Sequence, residues 1–291
     1  MSEKSMSKDT RKSVILLHIA VMCFSCSGVI GQFVQVPAVQ VAMGRVICSS
    51  LLLLVISLIC KDKLRLDSKK DYGLMIMTGI VMAIHWSSFF QSIQTSSVAI
   101  GTITFSTFPL FLTFLEPLIF HEKIRGKNIL NALILLLGVM ITIPEFSVEN
   151  KVTVGIMWGM LASFTYALMT LSNRYFSNHY KGRTICLYEQ GTAAVALLPA
   201  LVLVKATWRP VDFAGVATIG FLCTAIAYSL YVTAQKGVKA QTAGIISGTE
   251  SVYGIVFAFI FLHEVPSVRE LVGGAVILGI AFYSSLHSED E

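Results

Sequence analysis

Ten stretches of about 20 apolar residues follow one another along this chain, and this pattern restricts the possible folds more than any other feature. A helix of about 20 residues crosses the roughly 30 Å of hydrocarbon in a bilayer. Helices also satisfy their own backbone hydrogen bonds, as hydrocarbon demands. We therefore predict an all-α integral membrane protein with ten transmembrane helices. The stretches cover residues 13–34, 38–60, 72–93, 98–120, 127–144, 152–174, 184–204, 212–234, 240–262 and 268–286.

The composition agrees with a surface that faces lipid. Only 13% of the residues are charged, and the mean hydropathy is +0.73, whereas about a quarter of the residues in a soluble domain are charged. The net charge of +5 does not indicate a nucleic-acid partner, because the basic residues lie in short loops and do not share one face.

Basic residues are distributed unequally between the two sides that the ten spans define. With residues 1–12 in the cytoplasm, 17 lysines and arginines fall on the cytoplasmic side and 4 on the other, with Arg45 inside a span. Basic residues near the ends of spans favour the cytoplasmic side. We therefore predict a multi-pass protein of the inner (plasma) membrane, with cytoplasmic tails at residues 1–12 and 287–291.

The chain also contains a repeat, with halves at residues 13–144 and 152–286. Each half has an apolar span that ends in a His-Glu hinge, followed by another apolar span. Five spans per half is an odd number, so the second half enters the membrane in the opposite orientation. Inverted repeats around a site near the midplane are the layout of many secondary transporters. Four residues of the first half recur 142 positions later, namely Thr107 as Thr249, His121 as His263, Glu122 as Glu264 and Leu136 as Leu278.

These halves resemble the EamA branch of the drug/metabolite transporter superfamily. The first half carries SSVAIGTITFSTFPLF, HEKI and ILLLGVMI, and the second carries KAQTAGIISGTESVYGIVFAFIFLHEVPSVRELVGGAVILGI. The resemblance implies a metabolite transporter whose central cavity is lined mainly by spans 1, 3, 4, 6, 8 and 9, with spans 5 and 10 as peripheral supports. The chain departs from the family at Cys23-Phe24-Ser25, where a Trp-Gly pair is common. It also departs at Ser251, which replaces the proline that the first half keeps as Pro109.

Two ionisable residues lie well inside predicted spans, where exposure to lipid would cost several kcal/mol. Arg45 lies about eight residues, or roughly 12 Å, into the second span. It either forms an ion pair or caps carbonyl groups, or it contacts an anionic group of a substrate. Glu250 lies near the middle of the ninth span. It either faces the cavity, to bind a substrate ammonium group or a coupling proton, or makes a structural hydrogen bond. Glu250 and Glu189 are the candidate partners of Arg45.

Aromatic residues at matched depths are further candidates for the cavity. His85 lies mid-way along the third span and is followed by Trp86, which corresponds to Tyr228 at the same offset, with Tyr231 one turn further on. Such a pair suits a clamp on an apolar or cationic substrate, although packing explains it equally well. His85 either joins helices by a hydrogen bond or contacts a substrate or proton.

Glu122 and Glu264 begin the two hinges. We predict that they hold the hairpins by accepting hydrogen bonds from backbone or basic groups, and that they do not bind substrate. A structural role is also predicted for a set of polar residues nearer the ends of spans, namely His18, Gln32, Gln91, Glu116 and Glu189.

The sequence lacks the common patterns of catalysis and metal binding. Cys23 and Cys26 form a CxxC without a second pair or a histidine at ligand spacing. The His-Glu pairs are not HExxH, because Arg125 and Ser267 occupy the place of the second histidine. The nucleophile elbow and the P-loop lysine motif are also absent from the sequence. We predict no enzymatic activity, no catalytic residue, no cofactor and no metal.

Together these features predict a secondary transporter that exports a small polar or amphipathic metabolite, such as an amino acid, by alternating access around a central cavity. Its partners are the small-molecule substrate, the lipid bilayer and protons as the coupling ion, and the protein acts as a monomer or a weak dimer. The alternatives are a drug or multidrug efflux carrier and a passive channel. A channel would favour a ring of like residues, which the sequence does not show.

Overall fold

The computed structural model describes residues 8–121, 126–145, 147–235 and 246–286, and the regular structure within these ranges is helical. The helices are α1 Lys8–Phe33, α2 Ala38–Ile59, α3 Lys69–Thr95, α4 Val98–Phe105, α5 Phe108–Phe120, α6 Gly126–Thr142, α7 Lys151–Ser177, α8 Gly182–Leu197, α9 Ala200–Leu203, α10 Pro210–Gly220, a π-helical turn Phe221–Ile226, α11 Ala227–Gln235, α12 Glu250–Leu262 and α13 Val268–Leu286.

The helices show that this is a multi-pass membrane protein. Seven helical stretches are long and apolar enough to cross a bilayer, and two shorter apolar helices cover Gly126–Thr142 and Ile246–Leu262. With α13 they coincide with the ten predicted spans, although residues 240–245 of the ninth lie outside the described ranges. Large apolar side chains such as Leu118 and Val202 are exposed and suit contact with lipid. The count of ten crossings stays a prediction. The seven stretches are Thr10–Phe33, Ala38–Ile59, Lys69–Thr95, Val98–Phe120, Lys151–Ser177, Gly182–Leu203 and Pro210–Tyr231.

Four of the predicted spans are interrupted, which the apolar pattern did not predict. The seventh breaks at Leu198 and Pro199, between α8 and α9. The fourth breaks at Ser106 and Thr107, just before the proline at the start of α5. The ninth breaks at Thr249, just before α12. The eighth contains the π-helical turn, a feature that is frequent at functional sites. The breaks of the fourth and ninth spans lie side by side, because the hydroxyl group of Ser106 is 2.6 Å from that of Ser251, just after the break at Thr249.

The two hinge histidines have the same backbone conformation. His121 ends α5 with φ 57° and ψ 33°, and His263 ends α12 with φ 56° and ψ 27°. Non-glycine residues adopt positive φ only uncommonly. The same rare conformation at positions 142 residues apart supports the duplication, while the inverted arrangement of the halves stays a prediction.

Helices of the two halves pack against one another. α3 packs on α7, α2 and α3 pack on α8, and α1 packs on α11 and α12. Small residues allow close approach: a Cβ added at Gly155 of α7 would lie 2.5 Å from Cβ of Ser96. α6 and α13, which are the fifth and tenth spans, pack mainly on each other, with Gly138 facing Ile277.

Candidate functional site

Arg45 of α2 packs its side chain against α3. Its side chain is only 3% exposed, and its guanidinium carbon lies 3.3 Å from the centroid of the Trp86 ring. Among the described residues, neither Nε nor Nη1 has a hydrogen-bond partner. The backbone of α2 at Arg45 packs closely on Gly220, since a Cβ added at Gly220 would lie 3.0 Å from the carbonyl oxygen of Arg45. A buried guanidinium group with free donors can bind an anionic group.

Glu250 begins α12 directly after the break at Thr249, and its backbone oxygen accepts a hydrogen bond of 2.8 Å from Ser25 Oγ. The residue is partly buried, and its carboxylate interacts electrostatically with Arg45. The described ion pairs do not include these two residues. The structure therefore brings opposite charges from the two halves into one region without a direct contact between them.

His85 is fully buried and lies against α7. Its Nδ1 is 2.8 Å from the carbonyl oxygen of Ala162, so Nδ1 carries the donated proton. Its ring packs among Trp86, Phe105 and Tyr166, with the Trp86 centroid at 4.5 Å. In this state His85 joins α3 to α7 and has no exposed surface to offer a substrate.

The aromatic pair predicted as a clamp is separated. Trp86 lies against Arg45, and no ring contact between Trp86 and Tyr228 occurs in the described ranges. Tyr228 interacts instead with Cys186 of α8. Tyr231 lies 2.5 Å from Ser247 Oγ through its hydroxyl group, and its ring is 5.9 Å from that of Phe24.

The sequence analysis did not single out Tyr166, and it placed Glu189 near the end of a span without predicting its burial. Tyr166 of α7 packs on Phe105 and Phe108 at 4.9 and 5.0 Å, and it interacts electrostatically with both Glu250 and Glu189. Glu189 is only 1% exposed. A glutamate inside an apolar span without a nearby lysine or arginine was the available signal, and burial by α3 was not visible in the sequence.

Glu264 contacts the other half of the chain. Its carboxylate accepts hydrogen bonds from the backbone N–H of Val98 at 3.1 Å and from Gln32 Nε2 at 3.4 Å. It thus satisfies a free donor at the start of α4, and its partial burial raises the pKa of the carboxyl group above its ordinary value. The matching prediction for Glu122 lies outside the described residues.

The remaining polar residues of the sequence set contact neighbouring helices. Glu116 forms an ion pair with Arg174, and His18 Nδ1 lies 2.7 Å from the hydroxyl group of Tyr253. Gln32 Nε2 also donates to the carbonyl oxygen of Ile93 at 3.0 Å, and Gln91 Nε2 donates to Thr95 Oγ1 at 2.9 Å. In the described ranges no group of three or more histidine, cysteine or acidic side chains is placed to hold a metal ion.

Comparisons with known proteins agree with this arrangement. The profile of the EamA-like transporter family matches residues 11–143 and again residues 153–286. The chain belongs to the EamA-like transporter family. The resemblance seen in the sequence is thereby confirmed, and the protein is a membrane transporter. The double match places one EamA unit on each side of residues 144–152, which agrees with the repeat.

Two relatives have similar lengths. An uncharacterised transporter of Bacillus subtilis named YxxF is 22% identical over 276 residues, covering 93% of this chain and 88% of the relative. An uncharacterised transporter of Helicobacter pylori strain J99 is 25% identical over 280 residues, covering 91% of both. One crystal structure matches with a TM-score of 0.66 at 13% identity, covering 96% of this chain and 97% of the other. That likeness concerns the fold alone.

Proposed function

We propose that this EamA transporter is a secondary carrier that exports a small zwitterionic or amphipathic metabolite, such as an amino acid, across the plasma membrane. Residues 13–144 and 152–286 form two inverted halves, and both termini lie in the cytoplasm. Alternating access moves the substrate between the two sides. Protons are the coupling ion, and the carrier acts as a monomer or a weak dimer.

One observation carries this proposal: Arg45 and Glu250 interact electrostatically in the membrane interior without forming an ion pair. Arg45 also keeps two donors without partners in the described structure. A carboxylate group of a substrate would satisfy the guanidinium group, and an ammonium group would satisfy Glu250. A substrate with both groups would bridge the two halves of the transporter.

Aromatic rings suit the remainder of such a substrate. Trp86 lies against Arg45, Tyr166 interacts with Glu250, and Tyr231 interacts in turn with Tyr166. Aromatic faces attract cations and pack on apolar side chains. His85 holds α3 on α7 beneath these rings. Tyr228 interacts with Tyr166 on the side of α8.

The test is transport by the purified protein in proteoliposomes, using a panel of amino acids and a second panel of lipophilic organic cations. We expect saturable uptake of an amino acid that is accelerated by the same unlabelled amino acid on the opposite side. Arg45→Gln and Glu250→Gln are each expected to lower this exchange at least tenfold, and Glu149→Gln on an exposed loop is the matched control.

Other outcomes of the same assay identify the alternatives. Transport restricted to the organic cations would replace the amino-acid proposal with drug efflux. Flux that neither saturates nor exchanges would indicate a passive channel and would contradict the carrier.

A further inference from the structure

Glu189 of α8 is a membrane carboxyl group that the proposed transport site does not use. It is only 1% exposed, and it lies seven residues after the start of α8, about 10 Å along the helix axis. Its Oε1 has no hydrogen-bond partner in the described structure. No ion pair joins it to a lysine, arginine or histidine of the described ranges.

The groups that face Glu189 are polar but uncharged. Tyr166 and Asn173 approach it from α7, Tyr228 from α11, and Cys186 lies one turn earlier on α8. On the α2 side Arg45 is directed to Trp86 and Glu250. On the α3 side His85 is bonded to Ala162. An ionised carboxylate at this place would have neither water nor a cation beside it, which strongly disfavours the charged form.

The packing of α8 controls access of water to this carboxyl group. α8 packs on α2 and α3, and the helices touch closely beside Glu189. A Cβ added at Gly79 of α3 would lie 2.4 Å from Cβ of Thr192 and 2.9 Å from the backbone oxygen of Glu189. Asn173 and Tyr166 of α7 cover the carboxyl group itself, so hydration of the carboxylate requires α8 to move away from α3 and α7.

We propose that Glu189 holds the coupling proton of the carrier, and that loss of this proton separates α8 from α3 and α7. In the closed arrangement Glu189 is the neutral acid. On opening, the proton passes from the carboxyl group to entering water, and the carboxylate that remains is stabilised by hydration. Reprotonation removes the charge and allows the helices to close. This assignment rests on the proposed function and leaves Glu250 free to bind the ammonium group of the substrate.

The first test is infrared difference spectroscopy of the full-length protein in lipid nanodiscs. We expect at neutral pH the carbonyl stretch of a protonated, buried carboxyl group. Glu189→Gln should remove this band and Glu189→Asp should shift it, whereas Glu250→Gln should retain it. A band that persists unchanged in Glu189→Gln would overturn the proposal, and so would the absence of such a band from the wild-type protein.

The second test measures the separation of the helices. Amide hydrogen exchange of α8, corrected for its intrinsic pH dependence, should rise several-fold in the wild type between about pH 5 and about pH 9, as the carboxyl group ionises. Glu189→Gln stays neutral at every pH, so its exchange should remain at the low value throughout. Equal pH responses of the two proteins would contradict the link between proton and opening.

These tests separate the assignment from the proposed function. Neither requires a substrate, so a protein that shows the band and the pH response but moves no metabolite would remove the carrier and leave the proton site. Conversely, concentrative transport that survives Glu189→Gln would remove the proton site and leave the carrier. Infrared amide bands of the variants report whether each protein is folded.

Discussion

A buried aspartate side chain lies near each end of α2, but the basic partners of the two aspartates differ in their distance along the chain. After α2, Asp62 accepts hydrogen bonds from Lys181 at 3.0 Å and from Arg183 at 2.7 Å, which lie about 120 residues away in the other half. Before α2, the backbone N–H of Gln35 donates to Asp212 at 2.9 Å. The charge of Asp212 is balanced locally by Arg209.

This difference concerns how easily each end can open. At the Asp62 end, the halves are joined by side chains that are 68% and 39% exposed, so water can replace their contacts at modest cost. At the Asp212 end, the buried carboxylate also accepts a hydrogen bond of 2.9 Å from the backbone N–H of Arg209. The backbone N–H groups of Gln35 and Arg209 become hydrated only if the backbone itself moves. We infer that the Asp62 end separates more readily in a transport cycle.

Asp212→Ala should produce the largest effect. The substitution removes the acceptor of Gln35 N–H and of three hydrogen bonds from Arg209, and leaves partly buried donors without partners. We expect the midpoint of thermal unfolding of the purified protein in detergent to fall by about 5 °C. Rescue by Asp212→Asn should be incomplete, because the amide lacks one of the two acceptor oxygens. An unchanged midpoint would mean that this end is not held by Asp212.

Asp62→Ala should have a smaller effect on unfolding, since Lys181 and Arg183 become hydrated when they lose their partner. A fall of about 2 °C is expected. The same substitution should increase the labelling of a cysteine introduced near Leu64, because the loops of the two halves separate there. If the midpoint falls further than in Asp212→Ala, the order inferred for the two ends is wrong.

The pH dependence of the Asp62 contribution follows from its charge. Hydrogen bonds from Arg183 and Lys181 lower the pKa of Asp62 to about 2, from an ordinary value of about 3.9. Since the native pKa is depressed, the stabilisation is complete above about pH 4 and is lost as the pH falls towards about 2. The difference in unfolding midpoint between wild type and Asp62→Asn should therefore stay constant from about pH 5 to about pH 8 and shrink below about pH 4. A difference that shrinks in the neutral range would contradict the assignment.

Lys63→Ala should have the smallest effect. Lys63 pairs with Asp67 at 2.5 Å on the exposed surface of the same loop, and such pairs contribute little because water screens them. A change of less than about 1 °C in the unfolding midpoint is expected. It serves as the control for Asp62→Ala, because it removes a charge from the same loop and leaves the backbone contact of Lys63 with Thr184 of the other half in place.

The sequence was sufficient for the helices and the family, because apolar length and the two His-Glu hinges are local properties. It was not sufficient for the interruptions within spans. The contact of Ser106 with Ser251 and the approach of Gly220 to Arg45 depend on neighbours that are distant along the chain. Contacts between distant residues leave no periodic pattern in the sequence from which they could be predicted.

The candidate site divides in the same way. Arg45 and Glu250 were recognisable as isolated charges in apolar surroundings, and the structure adds that they interact electrostatically across the two halves. The burial of Glu189 could not be inferred, because it depends on neighbours that are distant along the chain, namely the close approach of Gly79 to α8 and the α7 side chains Tyr166 and Asn173. The matched positions of Trp86 and Tyr228 suggested a clamp, but in the fold Trp86 packs on Arg45 and Tyr228 interacts with Cys186.

The most direct measurement of the central claim compares the two hinges in proteoliposomes of known orientation. Single cysteines are introduced at Lys123 and at Val265, in a protein whose six native cysteines are replaced by serine or alanine. A membrane-impermeant thiol reagent then labels each variant from one side only. Inverted halves predict that the two positions react from opposite sides of the membrane. Labelling of both from the same side would contradict the inversion and, with it, alternating access between two opposed units.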